Sequence, residues 1–329
     1  MLCFRSEDHE TGVLERIEYT QGAVMAKYIL KRIAFGLATA FVVATLTFFI
    51  MNLVPGGPFL SEKAITPQAQ AALEAKYGMD KPLPAQYLTY MGDLLHGDLG
   101  ASVKKRGYTV NRIIAERFPV SARIGGLAIL AAFFIGVPLG SIAAYKRGKV
   151  LDSIIIVFST AGIAIPSFLS STLMLHFLSN KLGLLPSLGL KTPAAYVMPV
   201  AALALYPTCY IARLMRSSML DVIGQDYMRT ARAKGVSTVS SIFKHALRNA
   251  ILPVVTYLGP LMASLMTGSF IVEKIFTIPG LGHEFVTAIT SRDYPLIMGT
   301  TIFLAVFLIF MNVVVDIVYV VVDPRIELK

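Results

Sequence analysis

Six mostly apolar stretches, each long enough to cross the roughly 30 Å hydrocarbon core of a bilayer, constrain this chain more than any other feature. They run approximately from Ile33 to Met51, Ile124 to Tyr145, Ser153 to Leu178, Pro193 to Ala212, Ile251 to Val272 and Pro295 to Val315, the last continuing toward Val322. A charged side chain at mid-bilayer opposes insertion by about 2.5–3.5 kcal/mol, and these stretches hold almost none. With 55% hydrophobic and 15% charged residues and a mean hydropathy of +0.65, the chain lies outside the range of soluble domains. A net charge of +10 raises the question of nucleic acid, but the cations fall between apolar runs, form no stripe, and are accompanied by no Trp. Cys3 and Cys209 cannot make a disulfide framework or a thiolate metal site.

Six crossings put both termini on one side. One set of short connections carries Lys27, Lys31 and Arg32, then Lys146, Arg147 and Lys149, then the cations from Arg213 to Arg248, then Arg325 and Lys329; the opposite set has Lys181, Lys191, Lys274 and Arg292. The positive-inside rule therefore predicts cytoplasmic termini. Lys104, Lys105, Arg106, Arg112, Arg117 and Arg123 then lie outside, in a connection, Asn52 to Arg123, longer than the loops the rule describes.

Residues 1–24 are acidic, lack the basic and apolar regions of a secretory signal, and are expected to be an unstructured extension. Met25 opens MAKYILKRI, a basic lead into the first span and a candidate start of the chain proper. Residues 25–52 then form the first span, 53–123 an extracytoplasmic segment, 124–323 the core and 324–329 a cytoplasmic tail. In the extracytoplasmic segment Thr66 and Pro67 open a helical AQAALEAKY that Gly78 can close. Val110, Ile113, Ile114 and Phe118 recur at helical spacing and predict a helix lying on the membrane surface. Pro138, Pro166, Pro199, Pro207 and Pro260 permit kinks, and Gly136 with Gly140 permits close helix packing, which is preferred here over lining of a path. Asp316 reads as a salt-bridged or water-facing residue at the end of the last span.

The connection Met215 to Pro253 is too long for a turn and too polar for a span. Asp221 through Ala233 can form a helix ended by Gly235, with Ala231 and Ala233 beside Arg229 and Arg232; a second amphipathic segment runs from Val239 to Ala250. A short helix parallel to the membrane can dock in a groove of a cytoplasmic partner and pass rigid-body motion to the spans. It can equally rest on anionic headgroups. Composition does not separate the two.

DYMRTARAKG followed by HALRNAILP resembles the coupling loop, the EAA loop, of binding-protein-dependent importers, in the form found in the dipeptide and oligopeptide permease family. Arg229, Thr230 and Ala231 stand where Glu-Ala-Ala would be, and Pro253 lies farther beyond Gly235 than in the generic pattern, both usual in the peptide subfamily. PGGPF, YGMDKPLPAQY, GDLGAS, IPSF, GSFIVEKIFTIPGLG, RDYP and DPR follow in the family's order from Met25 onward, and the resemblance is nearest to the first oligopeptide-permease subunit. It implies an all-α polytopic membrane protein of the type I ABC importer permease fold, in the bacterial inner membrane, with six transmembrane helices and a cytoplasmic coupling helix between the fourth and fifth. The implied partners are a homologous second permease, two cytoplasmic ATP-binding subunits and an extracytoplasmic peptide-binding protein, with oligopeptide as substrate. The implied ATPase contacts are Asp226, Tyr227, Arg229, Ala231, Ala233, Lys234 and Gly235.

No GxxxxGK[ST] loop and no HExxH occur, so this chain is not expected to be an enzyme or to bind a cofactor; ATP and Mg belong to the partner ATPases the resemblance implies. His176 reads as a packing histidine, and the serines near it as bonded to their own helix, which disfavours a membrane-embedded enzyme. A secondary transporter would show repeats and buried charge in its spans, and neither is visible. The Gly, Pro and aromatic density of GSFIVEKIFTIPGLG marks Glu273, Phe276, Pro279, Gly280 and Gly282 as a candidate gate and binding-protein contact, beside the outer halves of spans three to five.

Overall fold

A computed structural model describes residues 7–55, 57, 68, 75, 78–237 and 240–322, with side chains except at 7–28, 231–232, 244–245, 316 and 318–322. The described residues are helical apart from connections and one isolated bridge between Ala101 and Thr109. In order they form α1 (Glu7–Leu53), α2 (Leu83–Leu95), α3 (Val110–Tyr145), α4 (Val150–Ala164) and α5 (Ser167–Met174, wound on as a π-helix through Leu175–Lys181). There follow α6 (Val197–Ile223, led in by a 3₁₀ turn over Pro193–Tyr196), α7 (Asp226–Ala233), α8 (Leu247–Ala250, preceded by a π-wound Ser241–Ala246) and α9 (Leu252–Met266). Then come α10 (Phe270–Ile275), α11 (Leu281–Ser291) and α12 (Tyr294–Val322). The expected helix over 69–77, the side chain of Asp316 and the DPR motif lie outside the described residues, save for Ala75.

Among the described residues, five helical stretches are long and apolar enough to cross a membrane, and a bent pair can supply a sixth. The expected third span is that pair: α4 and α5 meet at 101° instead of forming one straight crossing. The cause is local. Pro166 has no N–H to give to the helix, and it forces Ile165 out of the helical region, to φ −82° and ψ 117°. The fifth crossing, Leu252–Ile275, is interrupted between α9 and α10 by Gly268, whose φ of +95° closes the first helix.

Two further expectations are corrected. The surface helix predicted over Val110 to Phe118 is the first part of α3, begun where the Thr109 hydroxyl accepts the Arg112 N–H at 3.3 Å. Its apolar face packs on Leu281, Ala288 and Leu296 and not on lipid. At about 1.5 Å per residue α3 outreaches a bilayer, so this first part projects beyond it. The N-terminal extension is helical from Glu7, since no Pro breaks residues 7–53.

α3 and α6 make the most extensive helix pair. Without water to drive apolar faces together inside a membrane, close van der Waals approach replaces hydrophobic burial as the source of helix association. The glycines of α3 supply it. A Cβ at Gly140 would fall 2.4 Å from the Ala212 carbonyl oxygen, and one at Gly136 would fall 2.8 Å from that of Thr208. The same device brings α9 against α12, where a Cβ on Gly259 would meet Val315. Gly126, on the same helix as Gly136, faces open space. Gly140→Ala should therefore lose about 1–3 kcal/mol through overpacking, whereas Gly126→Ala should be neutral or slightly stabilising. Thermal unfolding of the two variants in one detergent compares them.

Candidate functional site

At one end of the bundle the chain leaves α6 at Ile223 and starts α7 at Asp226, so the expected helix from Asp221 to Ala233 is two helices. Gly224, a poor helix former, lies at the break. α7 is pinned from below. Met228 is fully buried among Met215, Met219, Val222, Ile242 and Ala246, and the Tyr227 hydroxyl accepts the Asn249 side-chain N–H at 2.8 Å. Gly235, at φ +80°, turns the chain out of the helix. All seven predicted coupling positions thus lie on α7 or its cap. Asp226, Tyr227, Arg229, Ala233, Lys234 and Gly235 are exposed, while of Ala231 only the backbone placement is described. Arg229 lies 3.6 Å from Asp226 on the surface, where such a pair adds little stability.

The pattern of residue types indicated the helix but not its anchor, although Met228 is the only large aliphatic side chain between Asp226 and Gly235 and so carried the signal. A second anchor has no local signal. The Arg216 guanidinium donates from Nε and Nη2 to the two Asp152 oxygens, at 2.7 and 2.9 Å, and the Gly148 N–H donates to the same carboxylate at 2.9 Å. This forked pair, with Asp152 buried and Arg216 partly exposed, joins the start of α4 to α6 less than three turns before α7.

At the opposite end three buried carboxylates organise the connections. Glu273 accepts from the Ser121 hydroxyl at 2.7 Å and the His283 N–H at 2.9 Å. A Cβ on Gly268 or Gly280 would collide with that carboxylate, so the glycines around GSF and IPGLG make room for it. Glu284 pairs with Lys105 and with Arg117, the latter at 3.2 Å. Asp293 accepts from the Ser102 hydroxyl and from the Val103 N–H at 3.1 Å, tying GDLGAS to RDYP across the chain. Of the candidate gate residues, Glu273, Gly280 and Gly282 come together, Phe276 points into the core, and Pro279 is exposed. A protein touching this turn from outside would therefore meet Pro279 and not the other four. Beside the Ser102–Asp293 tie, a cavity of about 1180 Å³ is lined by Phe48, Tyr90, Asp93, Asp98 and Tyr294, among others. Burial raises the Tyr90 phenol above its ordinary pKa. Among the described residues, no three His, Cys, Asp or Glu side chains gather as a metal site.

Residues 136–328 match the family described as the binding-protein-dependent transport system inner membrane component, and residues 25–124 match the N-terminal component of the same systems. The chain belongs to this family. The permease is 47% identical to the dipeptide transport system permease protein DppB of Bacillus subtilis (strain 168), over 92% of this chain and 99% of that one. It is 41% identical to the oligopeptide transport system permease protein OppB of Haemophilus influenzae, over 92% and 100%. A chain of the inward-facing MetNI methionine ABC transporter aligns with a TM-score of 0.50 at 19% identity, over 64% of the permease and 96% of that chain, which shows the shared type I importer permease fold. The permease is a multi-pass inner-membrane protein.

Two outcomes test the buried carboxylate end. Asp293→Ala strands the Ser102 hydroxyl and the Val103 N–H, at about 1–3 kcal/mol for each group that stays dry, and should lower the thermal midpoint of the permease, with Asp293→Asn intermediate. His283 is held below its ordinary pKa of 6.5, first by burial and then by Lys274, with Glu284 opposing. The unfolded chain then binds the proton more readily, so the stability His283 contributes is present above about pH 6.5 and lost as pH falls below it. Between pH 7.5 and 5.5 the midpoint should fall less in His283→Gln than in the parent.

Proposed function

We propose that the permease is the membrane-spanning subunit of an ATP-driven importer of oligopeptides, forming half of the translocation path beside a homologous second permease and receiving peptide from an extracytoplasmic binding protein. The observation that carries this reading is α7, a helix whose inward side is locked by Met228 and whose outward side stands free. A helix so held moves with α6, so a partner that grips it moves the spans as rigid bodies. Two cytoplasmic ATPases are that partner here, and they carry the ATP and Mg.

The orientation follows from charge. With α7 in the cytosol, Lys146, Arg147 and Lys149 and the cations from Arg213 to Arg248 lie inside and both termini are cytoplasmic. Three of the six outside cations that ran against the rule have acidic partners: Lys105 and Arg117 face Glu284, and Arg112 bonds Glu116 at 2.8 Å. Pairing of this kind supports their placement on the outer side. The names of the relatives support a peptide substrate. The α10–α11 turn around Glu273 then lies outside, where a gate receiving peptide would stand.

Reconstitution of the permease with the second permease, two ATPases and the binding protein should give peptide uptake that requires ATP. Arg229→Glu and Ala233→Trp, both on the exposed side of α7, should lower uptake by about tenfold or more, the effect of losing 1.4 kcal/mol or more of docking, with the thermal midpoint unchanged. A Lys234→Cys side chain should react with an impermeant thiol reagent only from the cytoplasmic face. Uptake driven by an ion gradient without ATP, or labelling from outside, would overturn the assignment.

A further inference from the structure

The outward faces of the spanning helices are of two chemical kinds. On α1 the exposed side chains include Phe35, Leu37, Phe41 and Leu46, and on α12 Val306, Leu308 and Phe310, as lipid requires. On α6 between Tyr206 and Ser217 the exposed positions are Tyr206, Tyr210, Arg213 and Ser217, spaced by four, three and four residues along one face. On α9 they are Pro253, Thr256, Pro260 and Ser264, spaced by three, four and four. No Leu, Ile, Val or Phe is fully exposed on either stretch.

The two faces are one surface. The Tyr206 and Tyr210 rings stack with centroids 6.2 Å apart, and Tyr210 leans on Tyr257 of α9 at 4.4 Å. Among the described residues no group hydrogen-bonds the three phenol hydroxyls, and Arg213 has no acidic partner. Tyr206 lies about 10 Å along the axis from Arg213 and about 20 Å from Pro193, well inside the hydrocarbon. Tyrosine favours the bilayer interfaces, and an unpaired hydroxyl facing acyl chains opposes insertion. A lipid-facing helix would carry the residues of α1 here.

We propose that the α6–α9 face is the wetted wall along which the transported peptide slides, its hydroxyls bonding the peptide main chain and Arg213 taking the terminal carboxylate at the α7 end. The inference rests on the peptide reading. Between Tyr206 and Arg213 the wall is neutral and rich in hydroxyl groups. An extended peptide presents one amide donor and one carbonyl acceptor per residue whatever its sequence, and phenol rings accept apolar side chains as well. An uncharged hydroxyl wall ending in one cation thus matches a chain of amides ending in one carboxylate.

Single cysteines test this in the complete importer, with the native cysteines changed by Cys3→Ser and Cys209→Ala. Tyr206→Cys and Ser264→Cys should react with a water-soluble methanethiosulfonate at least tenfold faster than Leu46→Cys and Leu308→Cys. Trialanine with ATP should slow the first two severalfold. Rates equal to those at Leu46→Cys would make the face lipid-exposed, and spontaneous crosslinking to the second permease without reagent access would make it a dry subunit interface; either overturns the wall. Fast labelling that trialanine leaves unchanged, in an importer that still takes up trialanine, would overturn the peptide contact alone. Fast labelling with no trialanine uptake in the unsubstituted importer would overturn the peptide reading on which the occupant rests.

Discussion

The architecture depends on the backbone contact between α3 and α6. In water, burial of apolar area would hold such helices together at about 25 cal/mol per Å². In lipid that term is absent, since acyl chains solvate a leucine as well as a neighbouring helix does. What remains is fit, and Gly136 and Gly140 permit it by bringing the α3 surface onto the carbonyls of Thr208 and Ala212. Because this contact is steric, α3 and α6 have little freedom to slide, and the elements attached to their ends inherit fixed positions.

Each end of the pair uses a different chemistry. Toward α7 the packing is by methionines, Met215, Met219 and Met228, whose unbranched side chains fill irregular gaps between short helices. At the far end, beside the buried Phe276, Ile278 and Leu281, the connections are held by buried carboxylates that accept backbone and hydroxyl donors. A buried carboxylate with its lone pairs satisfied fixes geometry, because losing a donor leaves a charge in a poor environment.

Much of this was legible in the residues, and the failures share a cause. Hydropathy over twenty residues is a local property, so the crossings could be read directly, as could a short polar helix ended by Gly235. Pro166 announced a break, but not the 101° between its two sides, which depends on what α5 packs against. Val110, Ile113 and Ile114 display the same stripe whether it meets lipid or protein, and only the placement of α11 and α12 decides. The pairing of Asp293 with Ser102, or of Asp152 with Arg216, joins residues far apart in the chain, and no local pattern carries that information. The glycines of GSFIVEKIFTIPGLG are visible in the sequence, but that Gly268 and Gly280 leave the space a buried carboxylate fills is not.

α6 connects the two surfaces proposed here as functional. Its end carries α7 through the Met228 packing, its middle carries Tyr206 and Tyr210, and Pro207 sits between those tyrosines without the N–H that would bond the carbonyl four residues back. A helix missing one rung bends there more readily than elsewhere. Below that point Arg216 grips Asp152, so movement of the α7 end takes the start of α4 with it, while α4 itself ends at the Pro166 corner. Two proline-weakened points therefore lie on the same side of one ion pair. Displacement at α7 reaches both, and the tyrosine face is the surface whose shape it changes.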